Sequence, residues 1–528
     1  MTNFSYEFPY PSRRMPVFAD NVVATSQPLA AQAGLRMLLK GGNAVDAALA
    51  AAITLTVVEP TSNGIGSDAF AIVWDGNKLH GLNASGRSPR AWTPERFAGL
   101  KSMPNVGWDA VTVPGAVDSW VQLSKRFGKL AFADLFGPAI HYARTGFVVS
   151  PKTAARWARA PKLYKEYPDF AAAFLPGGKA PAAGKLFRFP DQGDTLEEIA
   201  RTKGESFYQG ELAKRIAAYA AKTGGAMTEA DLAQHRSDWV EPITQEYQGV
   251  YLNEIPPNGQ GLAALIALGI LKHHDLGRYP VDSADSLHLQ VEAMKIAFAE
   301  AHRHIADPAH MQVAVSALLD ADFLSKRAAE IDKHHAKSYR SALPVEKGTV
   351  YLTAADKSGM MVSMIQSNFN GFGSGIVVPG TGISMQNRAT GFTLEPGHPN
   401  QVGGGKRPYH TIIPGFAMKD NMPQMSFGVM GGHMQAQGHV QMVVRIFGYG
   451  QNPQAASDAP RWHVFEDGRV AIEEGIPSSV AEDLSSRGHN IILGEPESLF
   501  GGAQLIYRLD DGYCAASDHR KDGQAVGF

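Results

Sequence analysis

The chain has 528 residues, of which 44% are hydrophobic and 19% are charged, and its formal net charge is −2 at pH 7. A chain of this size can bury a large core, and its balanced charge shows neither the basic footprint of a nucleic-acid-binding protein nor an acidic tail. The single cysteine, Cys514, leaves no internal disulfide. No early apolar run is long enough for a signal peptide or a membrane span, so we expect a soluble, cytoplasmic protein with no nucleic-acid or membrane partner.

The first part of the chain is predicted to be rich in helices. A helix with apolar residues at helical spacing runs from Leu29 to Leu39 and stops at two glycines. Asn43 is a candidate N-cap for the next helix, which reaches Val58. A hairpin follows, with strands at 69–74 and 79–83 around an Asp-Gly-Asn turn. Further helices are predicted at 116–127, 132–146, 195–203, 210–223, 261–272 and 284–305.

From Gly348 onward the composition changes to glycine-rich turns between short strands. Residues 350–355 and 360–367 are predicted to form a hairpin. Additional strands are predicted at 411–418, 424–429 and 503–509, and a helix-like run at 434–447. Because there are no repeats and no long linker, the sequence predicts one compact α+β body with a compositional seam near residue 348.

The predicted hairpin brings two hydroxyl side chains toward its open end. A turn centred on residues 357–358 sets Thr349 opposite Gln366 or, after a shift of one residue, opposite Ser367. Gly348 would allow a sharp bend in the backbone just before Thr349. An ordinary threonine at the start of a strand explains the same pattern, so the hairpin alone does not assign chemistry.

Two glycines, Gly431 and Gly432, lie between a predicted strand and a predicted helix. Backbone N–H groups at a helix start can hold an anion or an oxyanion, although glycines also serve such a turn through shape alone. The glycine-rich runs at 370–375 and 403–407 lack the Walker spacing. His302 and His304 would point away from each other on a helix, and no metal-binding motif is present, so we expect no metal and no cofactor.

Longer stretches of the chain carry more specific information than single residues. In the first half they read GGNAVDAALAAAITLTVVEP and NGIGSDAFAIVWDG, and in the second half GTVYLTAADKSG, GVMGGHMQAQ and ASDHR. Together and in this order they resemble the γ-glutamyltranspeptidase family over nearly the whole chain. The resemblance implies a four-layer αββα sandwich of the N-terminal nucleophile hydrolase type, made as a proenzyme that cuts itself between Gly348 and Thr349. A large subunit, 1–348, and a small subunit, 349–528, would stay together as one body, and a dimer of processed heterodimers is left open.

The resemblance also implies roles for the residues of the predicted active site. Thr349 maps to the family's nucleophile, and its freed α-amine can act as general base because such an amine titrates near neutral pH. Ser367 maps to the second hydroxyl, which contacts the nucleophile. Gly431 and Gly432 map to the donors that hold the oxyanion. The implied activity is that of an amidohydrolase with an N-terminal threonine.

The residues that would hold the substrate depart from the family's pattern. The arginine that grips a glutamyl α-carboxylate falls at Ser85, with Arg87 nearby as a replacement, and an asparagine that contacts the glutamate is Phe369 here. Phe369 fills volume where a longer substrate would lie.

Four further positions differ from the family's pattern, and two of them, Arg388 and Gly391, fall where the family holds the α-amino end of the substrate. A glutamine and an aspartate of the family become Arg388 and Gly391, and a pair of serines becomes His410 and Thr411. The lost acidic partner and the gained Arg388, whose fork suits a carboxylate, predict a small anionic substrate without an amino group. Without the family mapping, Arg388 would be interpreted as a solvated charge or a structural ion pair.

Within the family this pattern resembles the branch of oxamate amidohydrolases, which turn oxamate into oxalate and ammonia in purine breakdown. Oxamate is therefore the predicted small-molecule amide substrate. A γ-glutamyl hydrolase or transferase acting on glutathione, a cephalosporin-acylase-like enzyme and a non-catalytic binding relative remain open as alternatives. A metal-dependent amidohydrolase is a further rival, which would lose its activity with a chelator.

Overall fold

The computed structural model describes residues 14–339 and 348–528. Its strands, numbered in chain order, are β1 Val17–Ala19, β2 Val22–Thr25, β3 Asp68–Trp74, β4 Leu79–Asn83, β5 Phe147–Val148, β6 Leu186–Phe187, β7 Asp238–Val240, β8 Ile243–Tyr247, β9 Val250–Glu254, β10 Val350–Ala355, β11 Met361–Ser367, β12 Val377–Val378, β13 Ile383–Ser384, β14 Gly415–Lys419, β15 Met422–Met430, β16 Trp462–Val464, β17 Arg469–Ile472, β18 Asn490–Ile492, β19 Gly502–Leu509, β20 Gly512–Ser517 and β21 Gln524–Gly527.

The helices are numbered in the same way. They are α1 Pro28–Leu39, α2 Ala44–Val58, α3 Ala116–Phe127, α4 Gly137–Thr145, α5 Pro151–Trp157, α6 Ala160–Leu163, α7 Pro168–Phe174, α8 Pro190–Thr202, α9 Glu205–Gln209, α10 Glu211–Lys222, α11 Glu229–Ala233, α12 Gly261–Leu271, α13 Ala284–His304, α14 Val315–Leu318, α15 Ala321–Ala329, α16 Met434–Val443, α17 Pro453–Asp458 and α18 Ser478–Ser486. Within the described part of the chain, no helix combines the length and the apolar character needed to cross a membrane.

Two seven-stranded antiparallel sheets form the centre of the molecule. Sheet A has the strand order β1-β20-β19-β15-β14-β9-β8, and sheet B has the order β21-β2-β10-β11-β3-β4-β7. Apolar side chains from both sheets, including Phe70, Tyr351, Phe416 and Ile506, fill the space between them. Helices α1 and α2 cover the outer face of sheet B, and α12 and α16 cover sheet A. The predicted four-layer αββα sandwich is therefore confirmed.

Helix α2 shows why this sequence folds into these layers. Its start is closed by a capping box, in which Asn43 Oδ1 accepts the N–H of Asp46 at 3.1 Å and Asp46 Oδ2 accepts the N–H of Asn43 at 3.0 Å. All its residues are buried, because it packs on sheet B and also against α1 and α4. A helix that is apolar all round is stable only in such a position.

Most predicted elements are confirmed to within a few residues. The helix at 116–127 and the strands at 79–83 and 350–355 have the predicted bounds. The predicted helix at 132–146 divides at Gly137, where a 3-10 turn ends and α4 begins with Pro138 in its first turn. The strand predicted at 411–418 begins only at Gly415, because residues 411–413 contact buried glutamines of the site instead.

Candidate active site

Thr349 and Ser367 lie at the open end of the hairpin formed by β10 and β11. Val350 pairs with Gln366 across the two strands, so the next residues outward, Thr349 and Ser367, face each other with their hydroxyl oxygens 3.2 Å apart. The protein therefore adopts the register that is shifted by one residue. Both hydroxyls are shielded from solvent, since Thr349 is 2% exposed and Ser367 is 0% exposed.

The carbonyl oxygen of Gly348 accepts hydrogen bonds from both hydroxyls. Thr349 Oγ1 donates to it at 2.7 Å and Ser367 Oγ at 2.6 Å. The Ser367 oxygen accepts the N–H of Phe369 at 2.8 Å, which leaves its own proton for Gly348. Phe369 has a φ of 74°, a left-handed conformation that is rare for a bulky residue. Two donors on one carbonyl polarise it and favour nucleophilic attack at its carbon.

Gly348 is required by the close approach of a neighbouring loop. A Cβ at this position would lie 2.5 Å from the backbone nitrogen of Gly371 and 2.9 Å from the carbonyl oxygen of Phe369. A larger residue before Thr349 would therefore push the loop at 369–371 away and move the Gly348 carbonyl from its two donors.

Gly431 and Gly432 connect the end of β15 to the start of α16. Their φ angles are 127° and 60°, a region that favours glycine. Their carbonyls accept the N–H groups of Met434 and Gln435 at 3.0 and 3.1 Å, so the pair forms the turn from which the helix starts. Gly431 lines the same cavity as Gly348 and Thr349, which is where a donor to an oxyanion is needed.

Two buried glutamines that the sequence did not single out support these groups. Gln435, in the first turn of α16, donates to Thr349 Oγ1 at 3.4 Å and accepts the N–H of Ile413 at 3.0 Å. Gln260 donates to the carbonyls of Thr411 and Gly432 at 2.5 and 3.0 Å. Gln435 lies just after the glycine pair, and this position in the sequence could have indicated that it belongs to the site. No local sequence signal marked Gln260, because these two carbonyl partners are more than 150 residues away in the chain.

Four predicted substrate-binding residues, Arg388, Phe369, His410 and Thr411, lie close together. Arg388 Nη1 donates to Thr411 Oγ1 at 2.9 Å, and its guanidinium carbon lies 4.4 Å from the centre of the Phe369 ring. The Arg388 side chain is fully buried, and its Nε and Nη2 make no hydrogen bond with the described residues. Since unsatisfied buried donors are costly, a bound carboxylate would stabilise this position.

Asp68, the cross-strand partner of Ser367, is the counter-charge of this group. Its Oδ2 lies 3.7 Å from Arg388 Nε and 3.2 Å from His410 Nε2. An acidic partner of Arg388 is thus supplied from β3. No local sequence pattern indicates this partner, because Asp68 precedes Arg388 by about 320 positions.

Burial shifts the pKa values of Asp68, Arg388 and His410. Burial raises the pKa of Asp68 to about 7, against the opposing effect of Arg388. It also lowers the pKa of Arg388 to about 9. Burial, together with the neighbouring arginine, lowers the pKa of His410 well below its usual range. His410 is therefore neutral, and Asp68 balances the arginine only in part near neutral pH.

Arg87 lies elsewhere, so its prediction as a substitute carboxylate grip is corrected. Its side chain is 48% exposed and forms an ion pair with Asp307 at 2.7 Å. It lines a second cavity together with Arg90, Arg236 and Arg407. Asp307 is almost completely buried and holds the Arg87 side chain in an ion pair. The local sequence around Ser85 could not indicate this partner. Ser85 itself donates to Asn83 Oδ1 at 2.7 Å.

A cavity of about 420 Å³ opens beside Thr349. Thr349, Gly348 and Gly431 line it, and Tyr164 and Phe372 contribute apolar surface. Arg388 is not among the lining residues, since it is fully buried and the Phe369 ring lies over its guanidinium.

The charged part of the cavity lining was missed from the sequence. Among the described residues it consists of Arg156, Arg159 and Lys521, with no aspartate or glutamate. These residues come from the α5–α6 segment and from the loop between β20 and β21, so no local motif joins them. Among residues 14–339 and 348–528, no group of three or more histidine, cysteine or acidic side chains is arranged to hold a metal.

Comparisons with known proteins find relatives along nearly the whole chain. A family model described as Gamma-glutamyltranspeptidase matches residues 30–528. The Glutathione hydrolase-like YwrD proenzyme of Bacillus subtilis (strain 168) is 35% identical over 519 residues, which cover 96% of this chain and 98% of that protein. The Oxamate amidohydrolase proenzyme of Klebsiella pneumoniae is 35% identical over 526 residues, which cover 95% of this chain and 97% of that protein. The crystal structure of a cephalosporin acylase from Bacillus halodurans matches with a TM-score of 0.96 and 47% identity, covering 100% of this chain and 99% of that one.

Proposed function

The chain belongs to the gamma-glutamyltranspeptidase family, and from this premise we propose that it cuts itself between Gly348 and Thr349 and then hydrolyses amides with Thr349 as nucleophile. Its relatives are proenzymes of amide-cleaving enzymes. The observation that carries the proposal is the Gly348 carbonyl, which accepts hydrogen bonds from both Thr349 and Ser367.

The proposed self-cleavage is a transfer of the Gly348 acyl group from nitrogen to oxygen. Thr349 Oγ1 attacks the Gly348 carbonyl carbon, and the Ser367 hydroxyl stabilises the charge on the carbonyl oxygen. The C–N bond breaks, the Thr349 nitrogen takes up the proton, and an ester remains on Oγ1. Water hydrolyses this ester, which leaves a carboxylate on Gly348 and a free α-amine on Thr349.

In the proposed turnover the freed α-amine removes the Oγ1 proton as Thr349 attacks the substrate amide. The N–H groups of Gly431 and Gly432 hold the tetrahedral oxyanion, and loss of such a donor typically lowers the rate about 10²- to 10³-fold. Ammonia or an amine leaves with the proton from the α-amine. Water then releases the acid from the ester and restores the enzyme.

The substitution Thr349→Ala tests both halves of this proposal. The wild-type chain should appear as two fragments on a denaturing gel, with the smaller one beginning at Thr349 by N-terminal sequencing and intact mass. The alanine variant should remain one chain without amidase activity. A wild type that stays uncut under all conditions, or an alanine variant that is still cut at this bond, would contradict the assignment of the nucleophile.

For the substrate we propose an amide whose acyl group carries a carboxylate, with oxamate as the smallest member. Support comes from the two unsatisfied nitrogens of the buried Arg388 and from the 35% identity to an oxamate amidohydrolase proenzyme. Oxamate would reach this guanidinium after a movement of the Phe369 ring. Arg388→Met should raise KM for oxamate about tenfold or more, since a charged hydrogen bond is lost, whereas substitution of the exposed Arg201 should leave KM unchanged. An unchanged KM in Arg388→Met would remove this carboxylate grip.

A second candidate, an acylase for larger acyl groups, is favoured by the cavity. Its volume of about 420 Å³ exceeds what oxamate fills, and the cephalosporin acylase is 47% identical over the whole chain. Release of ammonia from oxamate and of nitroaniline from glutaryl and γ-glutamyl 4-nitroanilides, compared by kcat/KM, separates the candidates. Glutaryl turnover above the other two would favour the acylase, and γ-glutamyl turnover would favour the glutathione-type activity.

A further inference from the structure

The cavity beside Thr349 has a positively charged wall formed by Arg156, Arg159 and Lys521. Arg156 is on α5, Arg159 precedes α6, and Lys521 lies between β20 and β21. Lys521 is only 5% exposed, so its position is enclosed rather than on the outer surface. Because no acidic side chain of the described part of the chain lines the cavity, a ligand there meets this charge directly.

Two of the three cations have no anionic partner at hydrogen-bond distance among the residues that the structure describes. Arg156 Nη1 forms an ion pair with Glu59 Oε1 at 3.2 Å. Within residues 14–339 and 348–528, no group accepts a hydrogen bond from the side chain of Arg159 or of Lys521, and no carboxylate oxygen lies within 4.0 Å of either. The wall therefore carries more positive charge than Glu59 offsets.

The acidic groups that surround Lys521 are already engaged. Its pKa is influenced by Glu59, Asp518 and Asp522. Glu59 is bound by Arg156 and by Ser26 at 2.5 Å, and Asp518 is bound by Arg461 and Arg520. Asp522 accepts hydrogen bonds from the Ser150 hydroxyl and from the N–H groups of Lys152 and Thr153.

Burial of the charged Lys521 side chain is unfavourable in free energy, and a bound anion would offset this cost. Burial, followed by the charge of Arg156, lowers the pKa of Lys521 to about 7. A buried ammonium without a partner is unfavourable, and truncating one side of a buried charge pair is correspondingly costly. An anion beside Lys521 would restore its full charge.

We propose that Arg156, Arg159 and Lys521 bind a carboxylate at the far end of the substrate's acyl chain, several bonds from the amide that Thr349 attacks. This inference rests on the proposed function and extends its substrate class from oxamate, whose carboxylate is assigned to Arg388, to longer monoamides of dicarboxylic acids, whose carboxylate is assigned to this wall. The acyl side is chosen because the acyl group stays in the cavity through both chemical steps, whereas the amine leaves after the first. Guanidinium forks and an ammonium together suit a carboxylate.

The test uses the processed wild-type enzyme and two substrates that differ in one charge, the 4-nitroanilide of glutaric acid and its methyl ester. The variants are Lys521→Met, Lys521→Arg and Arg159→Met, with Arg201→Met as a control on an exposed part of α8. Lys521→Met should raise KM for the acid about tenfold or more and leave KM for the ester unchanged. Lys521→Arg should restore KM for the acid, Arg159→Met should raise it by a smaller factor, and Arg201→Met should match the wild type.

Calorimetric titration of glutarate gives a second readout that does not depend on the leaving group. Glutarate should bind the processed wild type and lose about tenfold or more in affinity in Lys521→Met. A wild type that does not bind glutarate, or variants that match the wild type with both acid and ester, would overturn the inference while self-cleavage and amidase activity persist. A chain that is never cut, seen on the denaturing gel, would overturn the proposed function itself.

Discussion

At the scale of single residues, the hydroxyl of Ser367 contacts the groups of both proposed reactions. In the uncut chain it donates to the Gly348 carbonyl at 2.6 Å and lies 3.2 Å from Thr349 Oγ1. The N–H of Phe369 fixes the orientation of this hydroxyl. Ser367 is therefore positioned to stabilise charge on the Gly348 carbonyl in the proposed self-cleavage, and to contact Thr349 in the proposed turnover.

We predict that Ser367→Ala slows self-cleavage by about 10²-fold, because a donor to the developing oxyanion is lost. The measurement is the fraction of cut chain over time, read by denaturing gel and intact mass. Ser367→Thr should retain cleavage. Ser363→Ala, on the same strand, removes a buried hydroxyl that bonds to Tyr351 and should be cut at the wild-type rate. Equal cleavage rates in Ser367→Ala and the wild type would contradict the role of this hydroxyl.

At the scale of elements, helix α13 is tied to the region of β18 by a chain of buried polar groups. Lys295 Nζ donates to His489 Nδ1 at 3.1 Å, and His489 Nε2 lies 2.8 Å from His288 Nδ1. His288 Nε2 in turn lies 2.7 Å from the Asp332 carbonyl. Because an ammonium can only donate, His489 accepts at Nδ1, is neutral, and donates from Nε2. Burial, followed by the charge of Lys295, lowers the pKa of His489 to about 3.

This network predicts that the protein loses stability as the pH falls from about 6.5 toward 3. The unfolded state binds a proton at His489 in this window and the folded state does not, so stability falls with falling pH, at most by about 1.4 kcal/mol per pH unit. His489→Gln should show a shallower pH dependence of the apparent melting temperature, measured in the uncut Thr349→Ala background. Parallel pH profiles of the two chains would contradict this assignment. His335→Gln, at an exposed position, is the matched control.

At the scale of the whole molecule, the parts before and after Thr349 are interleaved in both sheets. In sheet B, β10 and β11 lie between β2 and β3, and in sheet A, β14 pairs with β9. Their apolar residues share the core between the sheets. Separation of the two parts would expose this core and break several strand pairings at once.

We therefore predict that the large and small subunits remain associated after the cut. Size-exclusion chromatography of the processed protein in native buffer should give one species that contains both fragments, and only denaturant should separate them. The uncut Thr349→Ala chain is the reference for size. Fragments that elute separately in native buffer would contradict the proposed arrangement of 1–348 and 349–528 as one body.

Much of the fold and the centre of the site follows from local patterns. The helix at 44–58, the hairpin of β10 and β11, and the glycines at 431–432 were predicted, because caps, turns and strand alternation act over a few residues. The same locality explains the failure at Arg87, where the neighbouring Ser85 suggested a role in the site. A buried aspartate far along the chain determines where that arginine points instead.

By itself, the sequence determined the hairpin of β10 and β11 and the glycine pair, and its resemblance to the family implied the αββα sandwich and the contact between Thr349 and Ser367. Helix capping, turn type and backbone φ are local properties, so short segments encode them. Only the tertiary structure decided that Asp68 pairs with Arg388, that Phe369 covers it, and that Arg156, Arg159 and Lys521 line the cavity. Burial and charge balance depend on every group that meets at one point in space, and these groups come from distant parts of the chain.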